Sequence, residues 1–262
     1  MNATRQWITA VAQLCETPPP VFGRDKEIEE VKTRLSSRKS FVLYGASGAG
    51  KTFLIRHVIQ ARPQVLYCSN SSTPQLVFQS LARALVAVRD RSVRSWLRNS
   101  DAINGKSTIS LRGIVLEAVR QGNYWIVLDH LHGPAAALSS DTRDLMFYGD
   151  TPVVAVARSE HMEDLGFLMG MFSLRAERMR VPNFARREAL LFAEELARRL
   201  RLDAVNLSEF LEQVVEFSHG SPGAIQRMIQ MATLPRYCSE GYVKTSPLYI
   251  DFRLAWHAES AA

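Results

Sequence analysis

The segment that most constrains this chain is Gly45-Ala46-Ser47-Gly48-Ala49-Gly50-Lys51-Thr52. It matches the pattern G-x-x-x-x-G-K-S/T at every fixed position, and it lies between an apolar run and a segment with helical periodicity. Glycines at these positions let the backbone curl so that successive N–H groups point at phosphate oxygens, and the following helix adds its positive N-terminal end. The sequence therefore predicts a phosphate-binding loop, in which Lys51 reaches the β- and γ-phosphates and the Thr52 hydroxyl binds Mg²⁺. The alternative interpretation is a glycine-rich turn without a nucleotide.

Strand and helix patterns alternate along the first two thirds of the chain. Short apolar runs predict buried strands, and the segments between them have the apolar spacing of amphipathic helices. The predicted strands are 41–44, 65–68, 124–128 and 153–157, and the predicted helices are 25–35, 51–60, 74–88 and 109–120. Strands that are buried on both faces and separated by helices indicate a parallel sheet, so the predicted fold class is α/β.

The pattern changes near residue 182, where helical periodicity alone continues. The predicted helices beyond this point are 185–200, 207–219 and 222–232. The tail 244–256 has aromatic residues in a strand-like pattern, and we assign it to no element. We therefore predict an N-terminal helix and Pro-rich linker over residues 1–20, a P-loop NTPase core over 21–181, and a helical lid domain with a short C-terminal tail over 182–262.

A carboxylate follows the most apolar of the predicted strands. Asp129 comes directly after residues 124–128, and a loop of this kind needs a carboxylate at the end of a neighbouring strand to hold the water shell of Mg²⁺. Asp129 is therefore predicted to belong, with Thr52, to the metal site. The alternative interpretation makes Asp129 a helix-capping residue.

The next residue is His130, at the position where hydrolytic P-loop proteins usually have a glutamate that activates water. A neutral imidazole accepts a proton, so His130 is a candidate base. Loss of the carboxylate more often means slow hydrolysis, and we expect a weak or partner-dependent ATPase. His130 and His132 also suggest a metal site, but no Cys or third His lies at ligand spacing.

The segment that precedes the loop resembles a motif of AAA+ and STAND-type ATPases. Val21-Phe22-Gly23-Arg24-Asp25, followed by an amphipathic helix and then the loop, is similar to the N-terminal box of these families. The resemblance implies that Phe22 and Arg24 lie beside the adenine. It also implies that ATP, rather than GTP, is the nucleotide, and the chain has no guanine-reading N-K-x-D sequence.

Two later segments extend the same resemblance. Residues 153–159 are similar to the sensor strand of these families, and Arg158 matches the arginine that the STAND version directs at the γ-phosphate. Residues 219–225 are similar to the G-x-P signature of the lid, which implies that Pro222 approaches the base and that Arg227 is a second sensor. The alternatives are that Arg158 is a surface arginine at a strand end and that Arg227 is simply solvated.

The resemblance covers about residues 21–232 and implies a nucleotide-dependent switch that binds ATP and Mg²⁺. In such a switch we expect the output to pass through a protein partner, a homo-oligomer or a directly bound polymer such as nucleic acid. Two alternatives remain open on the sequence alone. One is a nucleotide-dependent DNA-binding regulator, and the other is a scaffold that binds ATP without hydrolysing it.

The net charge of +6 permits a polyanionic partner but does not demand one. The densest basic region contains Arg83, Arg89, Arg91, Arg94 and Arg98 beside Trp96, which is a candidate surface for a nucleic-acid backbone. A solvated face is the alternative. A second basic region contains Arg175, Arg178, Arg180, Arg186 and Arg187, any of which is a candidate arginine finger in an oligomer.

The composition excludes several classes of protein. Hydrophobic residues make up 47% and charged residues 22%, which is typical of a folded globular chain and not of a disordered one. No run of about 18 apolar residues predicts a membrane span. The first residues have no apolar core of a signal peptide, and the three scattered cysteines indicate a reducing compartment. We therefore expect a cytoplasmic protein.

Overall fold

The computed structural model describes residues 22–60, 62–94, 96–97 and 100–261, which form two compact units. The first, here called the sheet unit, is Lys26–Ala46 together with Lys51–Val181. The second, the helical unit, contains the described residues 22–25, the loop tip Ser47–Gly50, and the chain from Pro182 onward. The predicted N-terminal helix and Pro-rich linker lie outside the described residues.

Five parallel strands form the sheet of the first unit. They are β1 (Phe41–Tyr44), β2 (Val65–Cys68), β3 (Trp125–Leu131), β4 (Val153–Ala157) and β5 (Arg178–Arg180), in the order β2-β3-β4-β1-β5. The four predicted strands are confirmed, because β1 to β4 pair in parallel and most of their apolar side chains are buried. The edge strand β5 was not predicted. Two of its three residues are arginines and only Met179 is buried, so it carries no apolar run.

Helices connect the strands and cover the sheet. They are α1 (Asp25–Ser36), α2 (Lys51–Ile59), α3 (Pro74–Ala87), α4 (Ser100–Asn104), α5 (Thr108–Gln121), α6 (Ala136–Phe147) and α7 (Met162–Leu165). The start of α3 is set by its sequence, because Thr73 caps the helix by accepting from the Leu76 N–H and Pro74 occupies the first turn. Three of these helices, α4, α6 and α7, were not predicted.

Strand β3 extends three residues beyond its predicted end, through an irregularity. Its register with β4 shifts between Leu128 and Leu131, and His130 has a φ of +57°. This is a β-bulge, in which a residue with left-handed backbone angles changes the direction of the side chains at the end of the strand. Asp129 therefore lies inside β3 rather than after it.

The helical unit packs around one apolar core. Its helices are α8 (Arg186–Arg199), α9 (Leu207–Ser218), α10 (Pro222–Ala232) and α11 (Thr245–Ala261). The first three confirm the predicted helices, whose buried faces carry residues such as Phe192, Phe210 and Ile225. The expectation of helices alone is wrong in one detail, because β6 (Cys238–Ser239) and β7 (Tyr242–Val243) form a short antiparallel hairpin.

The strand-like reading of the tail is also wrong, because most of it is α11. The aromatic residues Tyr249, Phe252 and Trp256 are spaced by three and four positions, which places them on one face of a helix. Among the described helices, none combines the length and apolar character that a membrane span requires.

Candidate nucleotide-binding site

The phosphate-binding loop begins where β1 ends and leads into the first turn of α2. The Lys51 ammonium group donates to the carbonyl oxygens of Gly45 at 2.6 Å and Ala46 at 3.0 Å. Gly48 and Gly50 have φ values of +76° and +89°, which only glycine adopts without strain. The side chain of Lys51 therefore closes the loop on itself, and Thr52 follows as the second residue of α2.

The charge state of Lys51 is sensitive to its surroundings. The pKa of its ammonium group is lowered from 10.5 to about 8, mainly by burial and also by the positive charge of Arg158. The carboxylates of Asp129 and Asp164 act in the opposite direction. A phosphate group near Lys51 would favour the protonated form and so raise this pKa.

Asp129 is 1% exposed and is held by two donors. The hydroxyl of Tyr67 donates to its Oδ2 at 2.5 Å, and the backbone N–H of His130 donates to its Oδ1 at 2.7 Å. Burial and the bond to Asp129 raise the pKa of the Tyr67 hydroxyl well above its usual value, so it stays a donor. The helix-cap alternative is excluded, since Asp129 lies within β3 and the next helix begins at Ala136.

The sheet order corrects one detail of the predicted metal site. Asp129 was expected on a strand beside the loop strand, but β4 lies between β3 and β1. The end of β4 carries Arg158, which is partly buried rather than exposed. The carboxyl ends of parallel strands meet at one edge of a sheet, so Arg158 directly follows the strand that lies between β3, with its carboxylate, and the loop strand β1.

A second buried carboxylate, Asp164, was missed from the sequence. Burial by itself would raise its pKa, but hydrogen bonds from Ser159 and His132 and the charges of His132 and Arg158 lower it overall. His132 Nδ1 lies 2.8 Å from Asp164 Oδ1. Neither Asp164 nor Tyr67 lies in a recognisable motif, and only their positions in the fold reveal their link to Lys51 and Asp129.

The side chain of His130 is exposed to solvent rather than held inside the site. Its side chain is 63% exposed, and its Nε2 lies 3.8 Å from Asp129 Oδ2. Within the described ranges, no group of three or more His, Cys, Asp or Glu side chains could hold a metal ion. A histidine metal centre at His130 and His132 is therefore not supported.

In the helical unit, the predicted N-terminal box is tied to the loop tip. Arg24 is buried, and its Nη2 donates to the carbonyl oxygens of Ala49 at 3.0 Å and Pro182 at 2.6 Å. Its guanidinium group stacks over Phe184 at 4.5 Å. Phe22 packs against Phe192, with ring centroids 6.1 Å apart. Arg24 thus binds backbone carbonyls that hold the loop tip in this unit.

The start of α10 also contacts the loop tip. Ser221 caps the helix, Pro222 is its first residue, and the Gly223 N–H donates to the Gly48 carbonyl at 2.9 Å. Arg227 lies one turn further along and is partly buried.

The two basic regions have different environments. In the first, Arg89, Arg91 and Arg94 are exposed, Arg83 donates to the Asn104 side chain at 2.8 Å, and Trp96 is 62% exposed. Arg98 lies outside the described residues.

In the second basic region, Arg178 forms an ion pair with Glu160 at 3.2 Å. Arg175, Arg178 and Arg180 line a cavity of about 620 Å³ together with Tyr44, Glu160 and Ser173. Arg186 and Arg187 lie apart from them, exposed in the first turn of α8.

Comparison with solved structures shows that this fold is shared with other proteins of known structure. A Walker-type ATPase of Pyrococcus abyssi is 14% identical, with a TM-score of 0.65 over 93% of this chain and 75% of that one. The Orc1 protein of Aeropyrum pernix, solved in complex with DNA, is 17% identical, with a TM-score of 0.63 over 91% of this chain and 66% of its own. Cdc6p of Pyrobaculum aerophilum is 15% identical, with a TM-score of 0.57 over 82% of this chain and 61% of that one. At these identities the likeness concerns the fold.

Comparison at the level of sequence identifies the family. No curated protein matches the chain significantly. Residues 20–149 match the AAA ATPase domain family, a segment that includes the phosphate-binding loop and Asp129. Together with the parallel sheet and the loop described above, this match confirms the predicted resemblance and shows that residues 20–149 belong to the AAA ATPase domain family.

Proposed function

We propose that the chain binds ATP and Mg²⁺ at the loop Gly45–Thr52 and acts as a nucleotide-dependent switch. The observation that carries the proposal is the group of charges in the sheet unit, where Lys51 interacts electrostatically with Asp129, Arg158 and Asp164. A lysine with a pKa of about 8 beside a phosphate-binding loop gains a partner when an anion binds.

The residues present fit a magnesium ion. Mg²⁺ prefers hard oxygen ligands and keeps several waters, and the Thr52 hydroxyl and the buried carboxylate of Asp129 are donors of this kind. When bound, the ion would neutralise charge on the phosphates. Tyr67 and the His130 N–H orient the carboxylate, and Lys51 supplies positive charge at the β- and γ-phosphates.

We propose that hydrolysis is slow, or is stimulated by a partner protein or a second copy of the chain. The support is the environment of His130, whose exposed imidazole stands where a glutamate would activate water. An exposed imidazole is a weaker candidate for positioning a water molecule than a carboxylate fixed in the site. Arg158, at the end of β4, is proposed to sense the γ-phosphate.

The switch is proposed to act through the loop tip. Ser47–Gly50 belong to the same compact unit as α8–α11, and Gly48 accepts a hydrogen bond from Gly223 at the start of α10. A phosphate bound by the loop would therefore act on a segment that is bonded to the lid signature. We propose that residues of this unit also contact the nucleotide, namely Phe22, Arg24, Pro222 and Arg227.

The direct test measures binding of Mg-ATP by calorimetry and phosphate release. Lys51→Ala removes a charge that is proposed to reach the β- and γ-phosphates, and it is expected to weaken binding by about 100-fold, since charge-assisted bonds contribute roughly twice as much as neutral ones. Lys32→Ala is the matched control, because Lys32 is an exposed lysine that forms an ion pair with Glu29 on α1. If the wild type binds no ATP, the proposal is wrong.

A second candidate function is nucleotide-dependent DNA binding. Three observations favour it: the exposed Arg89, Arg91 and Arg94, the exposed indole of Trp96 nearby, and the likeness in fold to an Orc1 protein solved with DNA. Duplex binding should then fall steeply between about 50 and 200 mM salt, as expected for several phosphate contacts. DNA affinity that does not depend on salt concentration would exclude this surface. DNA affinity that is unchanged in the double variant Arg91→Ala/Arg94→Ala would exclude it as well.

A further inference from the structure

The C-terminal helix α11 carries a column of aromatic rings. Phe217 of α9 stacks on Tyr249 with ring centroids 4.1 Å apart, Tyr249 lies 6.5 Å from Phe252, and Phe252 lies 5.3 Å from Trp256. Phe252 is buried and Trp256 is partly buried in the core of the helical unit. The column therefore holds the indole of Trp256 in a defined position.

The indole at the end of this column meets the tip of the phosphate-binding loop. A Cβ atom at Gly48 would lie 2.9 Å from Cη2 and 3.1 Å from Cζ2 of Trp256, and 2.7 Å from Oγ of Ser221. A Cβ atom at Gly223 would lie 2.9 Å from Cα of Gly48 and 3.4 Å from the indole Cη2. Only glycine fits at both positions, because the helix start, the loop tip and the indole are in direct contact.

This contact gives Gly48 a role that the loop pattern does not require. The tip is bonded to Gly223 through its carbonyl and is covered by the indole on the same side. The loop binds phosphate through its backbone N–H groups, so its affinity depends on how much ordering it must undergo. A loop that is already ordered by contacts with other residues loses less conformational entropy when it binds phosphate.

We propose that Trp256 is a positioning residue that preorganises the phosphate-binding loop through Gly48, and that it couples α11 to nucleotide occupancy. The proposal rests on the function proposed above for its link to ATP. Its structural part concerns the free protein and holds without a nucleotide. Trp256 acts on the loop and not on the reacting atoms, so its loss should change affinity rather than the chemical step.

Three variants of α11 separate the contact from the fold. Trp256→Ala removes the whole ring. Trp256→Phe keeps a ring that packs against Phe252 but ends short of the Cη2 and Cζ2 atoms that meet Gly48. Leu254→Ala is the control, because Leu254 is 68% exposed on the same helix. Circular dichroism and thermal melting establish that each variant is folded.

The first measurement is hydrogen exchange of the peptide that covers residues 45–52 in the nucleotide-free protein. Exchange should be faster in Trp256→Ala and intermediate in Trp256→Phe, and it should match the wild type in Leu254→Ala. Exchange that is unchanged in both folded Trp256 variants overturns the proposal. This readout needs no ATP, so it tests the positioning role even if ATP binding fails.

The second measurement is the affinity for Mg-ATP and the steady-state kinetics of phosphate release. Ordering one further backbone residue corresponds to a loss of roughly tenfold in affinity, which is expected for Trp256→Ala. The KM should rise while kcat at saturating ATP stays within about twofold of the wild type. Unchanged affinity in a variant that binds ATP overturns the coupling. A wild type that binds no ATP overturns the proposed function instead.

Discussion

In the sheet unit, the residues around the loop are charged, whereas in the helical unit Gly48 at the loop tip is held by close contacts with uncharged groups. Lys51, Asp129, Arg158 and Asp164 interact through buried or partly buried charges. Gly48 is instead fixed by a backbone hydrogen bond and by an indole edge. We therefore expect the sheet unit to be most sensitive to substitutions that remove a charge, and the loop tip in the helical unit to be most sensitive to substitutions that change the size of a side chain.

The largest expected effect comes from neutralising the buried carboxylate of the sheet unit. Asp129→Asn keeps the size of the side chain but removes its charge, and we expect turnover to fall by about 100-fold or more, as for loss of a preorganised electrostatic contact. The magnesium dependence of ATP binding should weaken as well. Phosphate release measured across a magnesium titration checks this. Glu163→Gln, an exposed carboxylate on α7, is the control.

The second effect tests shape in the helical unit. Gly48→Ala places a Cβ within 3.0 Å of two neighbouring atoms at a φ of +76°, and strain of this kind costs about 1–3 kcal/mol. We expect the affinity for ATP to fall by roughly 10- to 100-fold, with a lower melting temperature. Gly113→Ala is the control, since Gly113 lies within α5 with open space around it. A Gly48→Ala protein with wild-type affinity would contradict the close packing.

The third effect is a pH dependence of ATP affinity that arises from the charge of Lys51 in the sheet unit. Lys51 must be protonated to bind phosphate, and its pKa in the free protein is about 8. The affinity for ATP should therefore be nearly constant below pH 8 and fall by up to about tenfold per unit above it. Lys51→Arg keeps its charge throughout this range, so the decline should disappear in that variant. Calorimetry between pH 6.5 and 9.5 would detect either outcome.

The same shift in Lys51 has a consequence for stability. Because folding lowers this pKa from 10.5 to about 8, the lysine opposes folding most strongly below pH 8, and the penalty disappears as pH rises through 10.5. A lysine in a salt bridge, whose pKa is raised on folding, would instead stabilise the folded protein at low pH.

The smallest effect concerns turnover at His130. His130→Glu restores a carboxylate where the imidazole now stands, and a well-placed base contributes about 100-fold or more. The left-handed backbone and the exposure of this position reduce the gain, so we expect an increase of about tenfold at most. Single-turnover phosphate release checks it. Unchanged turnover with ATP still bound would mean that another group is the base or that chemistry is not rate-limiting.

The elements that were predicted correctly have strong local signals. The four predicted strands are continuous apolar runs, the start of α3 has a capping threonine followed by proline, and the loop matches a fixed pattern. The elements that were missed lack such signals. Strand β5 is three residues long with two exposed or half-exposed arginines, and its pairing with β1 fixes it. Helix α11 was obscured by β-branched and aromatic residues that tertiary packing holds in a helix.

The sequence by itself determined the phosphate-binding loop, the apolar strand that leads to Asp129, and the α/β class, because each depends on residues that are close together in the chain. The tertiary structure alone decided that β4 separates β3 from β1, that Tyr67 orients Asp129, and that Trp256 covers Gly48. These relations join residues that are distant in sequence. Their energy comes from burial and packing in the folded chain, which no local pattern of residues encodes.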